Sequence, residues 1–281
     1  MRVSVITVCY NSELSLEDTI LSVVNQTYDD IEYIIIDGAS SDRTLEIIDK
    51  YKDKIDYFIS EPDSGMYNAM NKGIKVATGD YVYILNSDDT LYDENTIQNF
   101  VKEANNKNYE VFIGNLIFVE QDGKKPIIKF NEVDKMSMYY FGLHQQALFY
   151  KRTIFEKYGY LSEEYKLASD IVWLYDRLFF KKQKLKIKYL DQIFCNFKIG
   201  GRSNNESYKK LSDKERSMIA QKYLSPFQMK IYEIYKYKTY PVMHKYFRSI
   251  ARNHKVSAPV NKAVRGLLRF VFGWEINMVK D

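Results

Sequence analysis

The sequence predicts an α/β chain with a doubly wound, mostly parallel sheet and a helical C-terminal extension. Three observations carry this reading. Over the first hundred residues, short apolar runs of strand length alternate with amphipathic runs of helix length, as parallel βαβ units require. After residue 105 that alternation breaks into a hairpin-like stretch and further mixed elements. Beyond about residue 205 the pattern becomes helical and basic. The expected organisation is one α/β domain over 1–204, in halves 1–105 and 106–204, followed by an extension over 205–281.

Each element has its own signal. RVSVITVCY (2–10) is an apolar first strand, and SLEDTILSVVNQ (15–26) a helix with Ser15 as N-cap and Asp18 completing an approximate capping box. IEYIIIDG (31–38) is a second strand, SDRTLEIIDKYK (41–52) a helix with apolar Leu45, Ile47 and Ile48, and IDYFIS (55–60) a third strand. GMYNAMNKGIKVATG (65–79) is a helix closed by Gly79. Residues 80–85 form the fourth strand, where Tyr81, Val82, Tyr83, Ile84 and Leu85 suit a strand covered on both faces. A helix follows near 93–105. Residues 110–130 read as a hairpin turning at Gln121-Asp122-Gly123, 144–159 as a strand and short helix, 168–182 as a helix, and 185–190 as a strand. The block beyond 205 is helical and punctuated by Pro226, Pro241 and Pro259.

Composition narrows the class. With 46% hydrophobic and 15% aromatic residues, the chain can build its core without disulfide or metal staples. Cys9 and Cys195 form no CxxC pair, which fits a reduced, cytosolic protein and argues against structural zinc. The N-terminus reads as a strand, not a signal peptide, and no apolar run is long enough to span a membrane. Charge is divided: residues 198–281 hold 18 Lys and Arg against 6 Asp and Glu, while 1–197 hold 23 against 31. Two regions with different partners are expected.

In a doubly wound sheet the ligand crevice lies outside the carboxyl ends of the strands. Here those ends are Tyr10-Asn11, Asp37-Gly38, Ser60-Glu61-Pro62-Asp63 and Asn86-Ser87-Asp88-Asp89. Acids dominate the rim, so it should attract cations and hydrogen-bond donors. Adjacent carboxylates such as Asp88 and Asp89 repel each other. A hard divalent ion bridging to phosphate would offset that repulsion, although solvation or capping of the next helix would also account for the pair.

Three ordered stretches, VSVITVCYN, IIIDGASSDRT and DSGMYNAMNKGIKVATGDYVYILNSDD, resemble the family 2 glycosyltransferases, inverting enzymes of GT-A fold, over roughly residues 2–200. The resemblance implies a UDP-sugar donor, with Thr7, Tyr10, Asp37, Asp63, Asp88 and His144 as donor-binding residues and Asp37 accepting a hydrogen bond from the uracil imide N–H. It implies Mn²⁺ or Mg²⁺ at Asp88 and Asp89. It also implies Asp170 as the base that deprotonates the acceptor hydroxyl, with Asp176 as runner-up, and an acceptor that is a glycan or lipid-linked glycan of surface polysaccharide synthesis. Gly200-Gly201-Arg202-Ser203 resembles the family's glycine loop. The chain departs from the family pattern at Asn86, Gly38 and Ser169, where acids are common, and at Met70, where a basic residue is common.

Residues 241–255 and 258–273 form basic amphipathic patterns suited to an anionic membrane surface, which would place the protein peripherally on the inner face of the cell membrane. Packing on the catalytic domain or on a second subunit is the alternative, and no recognised nucleic-acid motif accompanies the charge. Two rival functions stand beside the transferase. A sugar-1-phosphate nucleotidyltransferase would need a glycine-rich loop after strand one, which YNSELSLED lacks. A catalytically degenerate scaffold of a membrane glycan-assembly complex draws on the four departures.

Overall fold

The computed structural model describes residues 1–120, 123, 125–130, 143–180, 184–198 and 206–226. Strands β1 (Val3–Cys9), β2 (Ile31–Asp37), β3 (Tyr57–Ser60) and β4 (Tyr81–Asn86) pair in parallel in the order β3-β2-β1-β4. Helices α1 (Leu16–Val24), α2 (Thr44–Lys50) and α3 (Met66–Val76) form the crossovers, with a short 3₁₀ turn Lys52–Lys54 after α2. The predicted elements of 1–105 are all present with boundaries shifted by a few residues, β4 running one residue past its predicted end, and α4 (Thr96–Ala104) closes the half. Ser15 precedes α1, but its side chain makes no capping hydrogen bond.

The second half extends the same sheet. Strand β8 (Leu148–Lys151) runs antiparallel beside β4, then come β6 (Val111–Val119) and β9 (Ile187–Lys198). Strand β7 (Ile127–Ile128) pairs with β6 as the expected hairpin. Strand β5 (Thr90–Leu91) pairs with the far end of β9 at Asn196 and Cys195. Only Ser87, Asp88 and Asp89 separate β4 from β5, yet three strands lie between them in the sheet order, so the sheet curls back on itself. Strand β9 runs well past the predicted 185–190, because Phe194 and Cys195 are wholly buried beyond the polar pair Asp191-Gln192. Helices α5 (Thr153–Tyr158), α6 (Ser169–Tyr175, continued by a π turn Asp176–Phe180) and α7 (Glu206–Tyr223) complete the described chain.

Register places the functional rim. Cys9 lies opposite Asp37, Asp37 opposite Ser60, and Val8 opposite Asn86. The parallel strands therefore end level, and the polar residues that follow each strand emerge on one edge. Beneath that edge the strands are buried almost throughout, including all seven residues of β1. The core of the second half is aromatic, with Phe100 stacked on Phe149 at 3.7 Å between ring centres and Tyr83 stacked on Phe149 at 4.4 Å.

Candidate active site

Asp37 ends β2 with no solvent exposure. Its Oδ2 accepts hydrogen bonds from the Ser40 amide (2.9 Å) and the Ser60 hydroxyl (2.6 Å). Its Oδ1 accepts from the Ser40 hydroxyl (2.5 Å) and the Cys9 thiol (3.5 Å). These four donors satisfy both oxygens of the buried carboxyl group. Burial, and then the Asp37 charge, push the Cys9 thiol pKa up, which keeps it from acting as a thiolate nucleophile. Tyr10, just past β1, is 48% exposed. A side chain at Gly38 would meet Asp63 Oδ2 at 3.1 Å and the Tyr10 ring at 3.4 Å, so glycine lets these two groups close over the end of β2. Asp63 pairs with Lys72 at 2.5 Å, and Lys72 also reaches Glu61 at 2.8 Å. Partial burial opposes the Lys72 charge, but the hydrogen bonds and charges of the two carboxylates outweigh it and raise its pKa. Lys72 is thus committed to the acids after β3.

The acid motif divides in two. Asp88 is partly exposed, whereas Asp89 is 1% exposed. Asp89 Oδ2 accepts from the Gln146 amide at 2.8 Å and Oδ1 from the Lys198 N–H at 3.0 Å, while its backbone carbonyl accepts from Thr19. Burial first, then the neighbouring Asp88 charge, raise the Asp89 pKa against the opposing hydrogen bonds of Lys198 and Gln146. The sequence leaves open whether Asp88 or Asp89 would be the direct metal ligand; in the structure Asp89 is bonded into the protein, and Asp88 is the more exposed carboxylate. Ser87 shares a hydrogen bond with Ser12 (2.8 Å), and Asn86 accepts from Gln145 (3.2 Å). Among the described residues no group of three or more His, Cys, Asp or Glu side chains forms a ready-made metal centre. The donors around this rim are nonetheless oxygens, which suits a hard divalent ion that takes its remaining ligands from phosphate and water.

Two expected donor-binding residues sit elsewhere. Thr7 is wholly buried inside β1 and shares a hydrogen bond with the Tyr33 hydroxyl (3.2 Å), because inward side chains of a central strand face the core. His144 has its ring against Phe197 (4.7 Å), Phe118 (5.3 Å) and Phe130 (6.3 Å). Burial, reinforced by Arg216, lowers its pKa to about 4, so the imidazole is neutral. In the HQQ stretch it is Gln145 and Gln146, on a 3₁₀ turn, that reach the acid motif.

Asp170 lies in the first turn of α6 and is partly buried. The Tyr67 hydroxyl donates to its Oδ1 at 2.8 Å. Burial pushes its pKa up to about 6, opposed by Tyr67 and two backbone amides and reinforced by the Glu215 charge. That value leaves the group ionised at neutral pH yet basic enough to accept a proton. Asp176, the runner-up, starts the π turn and accepts the Tyr223 hydroxyl (2.5 Å). The loop before α6 is tied to α3: Glu163 accepts from Ser64 (2.9 Å) and Asn68 (3.0 Å), and Asn71 brackets Leu161 through both its amide groups. Tyr67, Gln145, Gln146, Ser40 and Ser60 are the site residues that sequence reasoning missed. Of these, Ser40 in IIIDGASSDRT, Ser60 at the end of IDYFIS and Tyr67 in GMYNAMNKGIKVATG lie within motifs and elements legible in the sequence, and Gln145 and Gln146 directly follow His144. Gly200-Gly201-Arg202-Ser203 and 241–273 lie outside the described residues.

The model of glycosyl transferase family 2 matches residues 4–202. The chain belongs to glycosyl transferase family 2. This glycosyltransferase is 26% identical over 195 residues to a PGL/p-HBAD biosynthesis glycosyltransferase of Mycobacterium bovis, covering 65% of this chain and 72% of the relative. Its fold is similar to that of S. aureus TarS 1–349, solved in complex with UDP-GlcNAc, with a TM-score of 0.60, 19% identity, and coverage of 75% of this chain and 64% of that one. It is similar also to the mannosyltransferase PcManGT from Pyrobaculum calidifontis, solved with GDP-Man and Mn²⁺, with a TM-score of 0.59, 16% identity, and coverage of 96% and 80%. At these identities the structural likeness establishes the α/β GT-A fold. The glycosyltransferase spans less than two thirds of the TarS fragment.

Proposed function

We propose that this glycosyltransferase moves a sugar from a UDP-sugar to a hydroxyl of a glycan or lipid-linked glycan, with inversion at the anomeric carbon. The observation that carries the reading is Asp170: a carboxylate with its pKa raised to about 6, held by Tyr67 and set in the half that would receive the acceptor. Asp170 accepts the acceptor hydroxyl proton, and Tyr67 keeps the receiving oxygen oriented. Inversion follows when the hydroxyl attacks from the face opposite the leaving diphosphate.

On the donor side, Tyr10 and Asp63 flank the end of β2 and contact the nucleoside. Asp37 supports that edge from below, since its oxygens already have partners in Ser40, Ser60 and Cys9. Asp88 would hold a divalent ion of the Mn²⁺ or Mg²⁺ type, with Asp89 fixing the backbone of the motif from beneath. When bound, such an ion neutralises charge growing on the diphosphate as it leaves. The UDP choice draws on the family resemblance and on TarS having been solved with UDP-GlcNAc. GDP is the competing nucleotide, as PcManGT was solved with GDP-Man and Mn²⁺.

Thermal unfolding with UDP, GDP, dTDP and CDP, each with and without Mn²⁺, tests this on the wild type and Asp88→Asn. Ligand at 100 times its Kd adds about 2.7 kcal/mol, a shift of several degrees. The expected result is a UDP shift that needs both Mn²⁺ and Asp88. A shift with GDP alone would reassign the donor. No shift with any nucleotide would overturn the donor site and favour the scaffold.

A further inference from the structure

Helix α7 lies beyond the residues matched by the family model, yet it reaches the segment that presents Asp170. Glu215 of α7 is 4% exposed. One carboxylate oxygen accepts the Lys166 N–H at 2.6 Å and the other accepts the Leu167 N–H at 2.9 Å. Leu167 stands three residues before Asp170. Further along α7, the Tyr223 hydroxyl donates to Asp176 at the end of α6, and the Tyr223 ring stacks on Phe180 at 4.5 Å. The loop is held from the other side as well, where Lys166 Nζ donates to the Ser64 carbonyl at 2.9 Å and Glu163 accepts from α3. A buried carboxylate spent on two successive backbone amides costs desolvation that a simple packing contact would avoid. It fixes a loop that otherwise has exposed residues at Glu163, Glu164 and Lys166.

We propose that Glu215 is a positioning residue for the transfer reaction, clamping the 166–167 backbone so that the Asp170 carboxylate stands where the acceptor hydroxyl binds. The inference rests on the reading of Asp170 as the base. It adds that the base is completed by a helix outside the family module. Among the described residues, the titratable groups acting on Asp170 include Tyr67 of α3, Tyr150 of β8 and Glu215 of α7. Both tyrosines have raised pKa values, first by burial and then by the Asp170 charge, and stay neutral. Glu215 is the charged member, so losing its charge should lower the Asp170 pKa.

The test compares the wild-type full chain with Glu215→Gln, Glu215→Asp and Glu215→Ala. Two arms need no substrate. A carboxyl ¹³C NMR titration, with Asp170→Asn identifying the resonance, should move from a midpoint near 6 to a lower pH in Glu215→Gln. Hydrogen exchange at the Lys166 and Leu167 amides should accelerate in Glu215→Ala. A third arm follows UDP release from UDP-GlcNAc, UDP-Glc and UDP-Gal. Misplacing the base by about 1 Å should cost roughly a hundredfold in kcat for Glu215→Ala, with the UDP thermal shift intact and partial rescue in Glu215→Asp. Glu215→Gln keeps the side-chain shape and decides the matter should Glu215→Ala unfold. A folded Glu215→Gln with unchanged Asp170 midpoint, amide protection and kcat would overturn the clamp. Full turnover by Asp170→Asn would instead overturn the base reading, leaving the exchange arm to judge the clamp.

Discussion

Asp88 and Asp89 are neighbours in the chain but differ in environment, and that difference gives opposite consequences on mutation. Asp89→Ala strands the Lys198 N–H and the Gln146 amide. A loss of roughly 2 kcal/mol is expected in chemical denaturation. Asp88→Ala should cost less stability than Asp89→Ala and abolish Mn²⁺-dependent nucleotide binding. Equal stability losses for the two variants would contradict the division. Asp170 sets a pH dependence. Its folded pKa, near 6, exceeds its ordinary 3.8, so the folded state holds this proton more tightly than the unfolded chain. Its contribution to stability is full at low pH and is lost as pH rises from about 4 to about 6. Asp170→Asn removes the cost of the buried charge while keeping an acceptor for Tyr67. It should gain roughly 2 kcal/mol at pH 7, gain little at pH 4, and lose turnover by about two or more orders of magnitude. In the wild type, kcat/KM should fall about tenfold per pH unit below 6, since the base of the free enzyme must be ionised.

At the scale of the element, α3 joins the two halves of the site. One part of it carries Tyr67 to Asp170 and Asn68 and Asn71 to the loop before α6, and Gly73 packs it on β1 and β2. A Cβ at Gly73 would overlap Ile6 Cγ2 and lie 3.4 Å from Ile36 Cγ1. In a solvated helix Gly→Ala gains about 1 kcal/mol. Here overpacking should win, with Gly73→Ala destabilising by about 1–3 kcal/mol and reducing turnover through the displaced Tyr67. A stabilised Gly73→Ala protein in thermal unfolding would show that α3 has room to shift.

At the scale of the molecule, the curled sheet brings the end of β9 to the acid motif, where the Lys198 amide meets Asp89 across 109 residues of sequence. No described helix is long and apolar enough to cross a membrane. The basic segment 241–273 lies outside the described residues, and membrane attachment through it is a proposal from charge and periodicity. Truncation after residue 226 keeps Glu215 and Tyr223. It should preserve nucleotide binding while releasing the protein from vesicles containing anionic lipid. Unchanged sedimentation with such vesicles would point to packing on the catalytic domain or a second subunit instead.

The sequence by itself determined the parallel half of the sheet, its polar rim and the candidacy of Asp37, Asp88, Asp89 and Asp170. Strand periodicity and the residues that end each strand are local properties, and in a parallel sheet they place side chains on one edge. It also supported Thr7, which the fold buries inside β1, and His144, whose ring the fold sets against aromatic side chains. Only the tertiary structure decided which acid of the pair is accessible, since Asp89 is claimed by partners 57 and 109 residues away. The same holds for Asp170, whose raised pKa depends on burial and on its contacts with Tyr67 and Glu215. Desolvation and long-range hydrogen bonds are set by packing, and no local pattern in the chain encodes them.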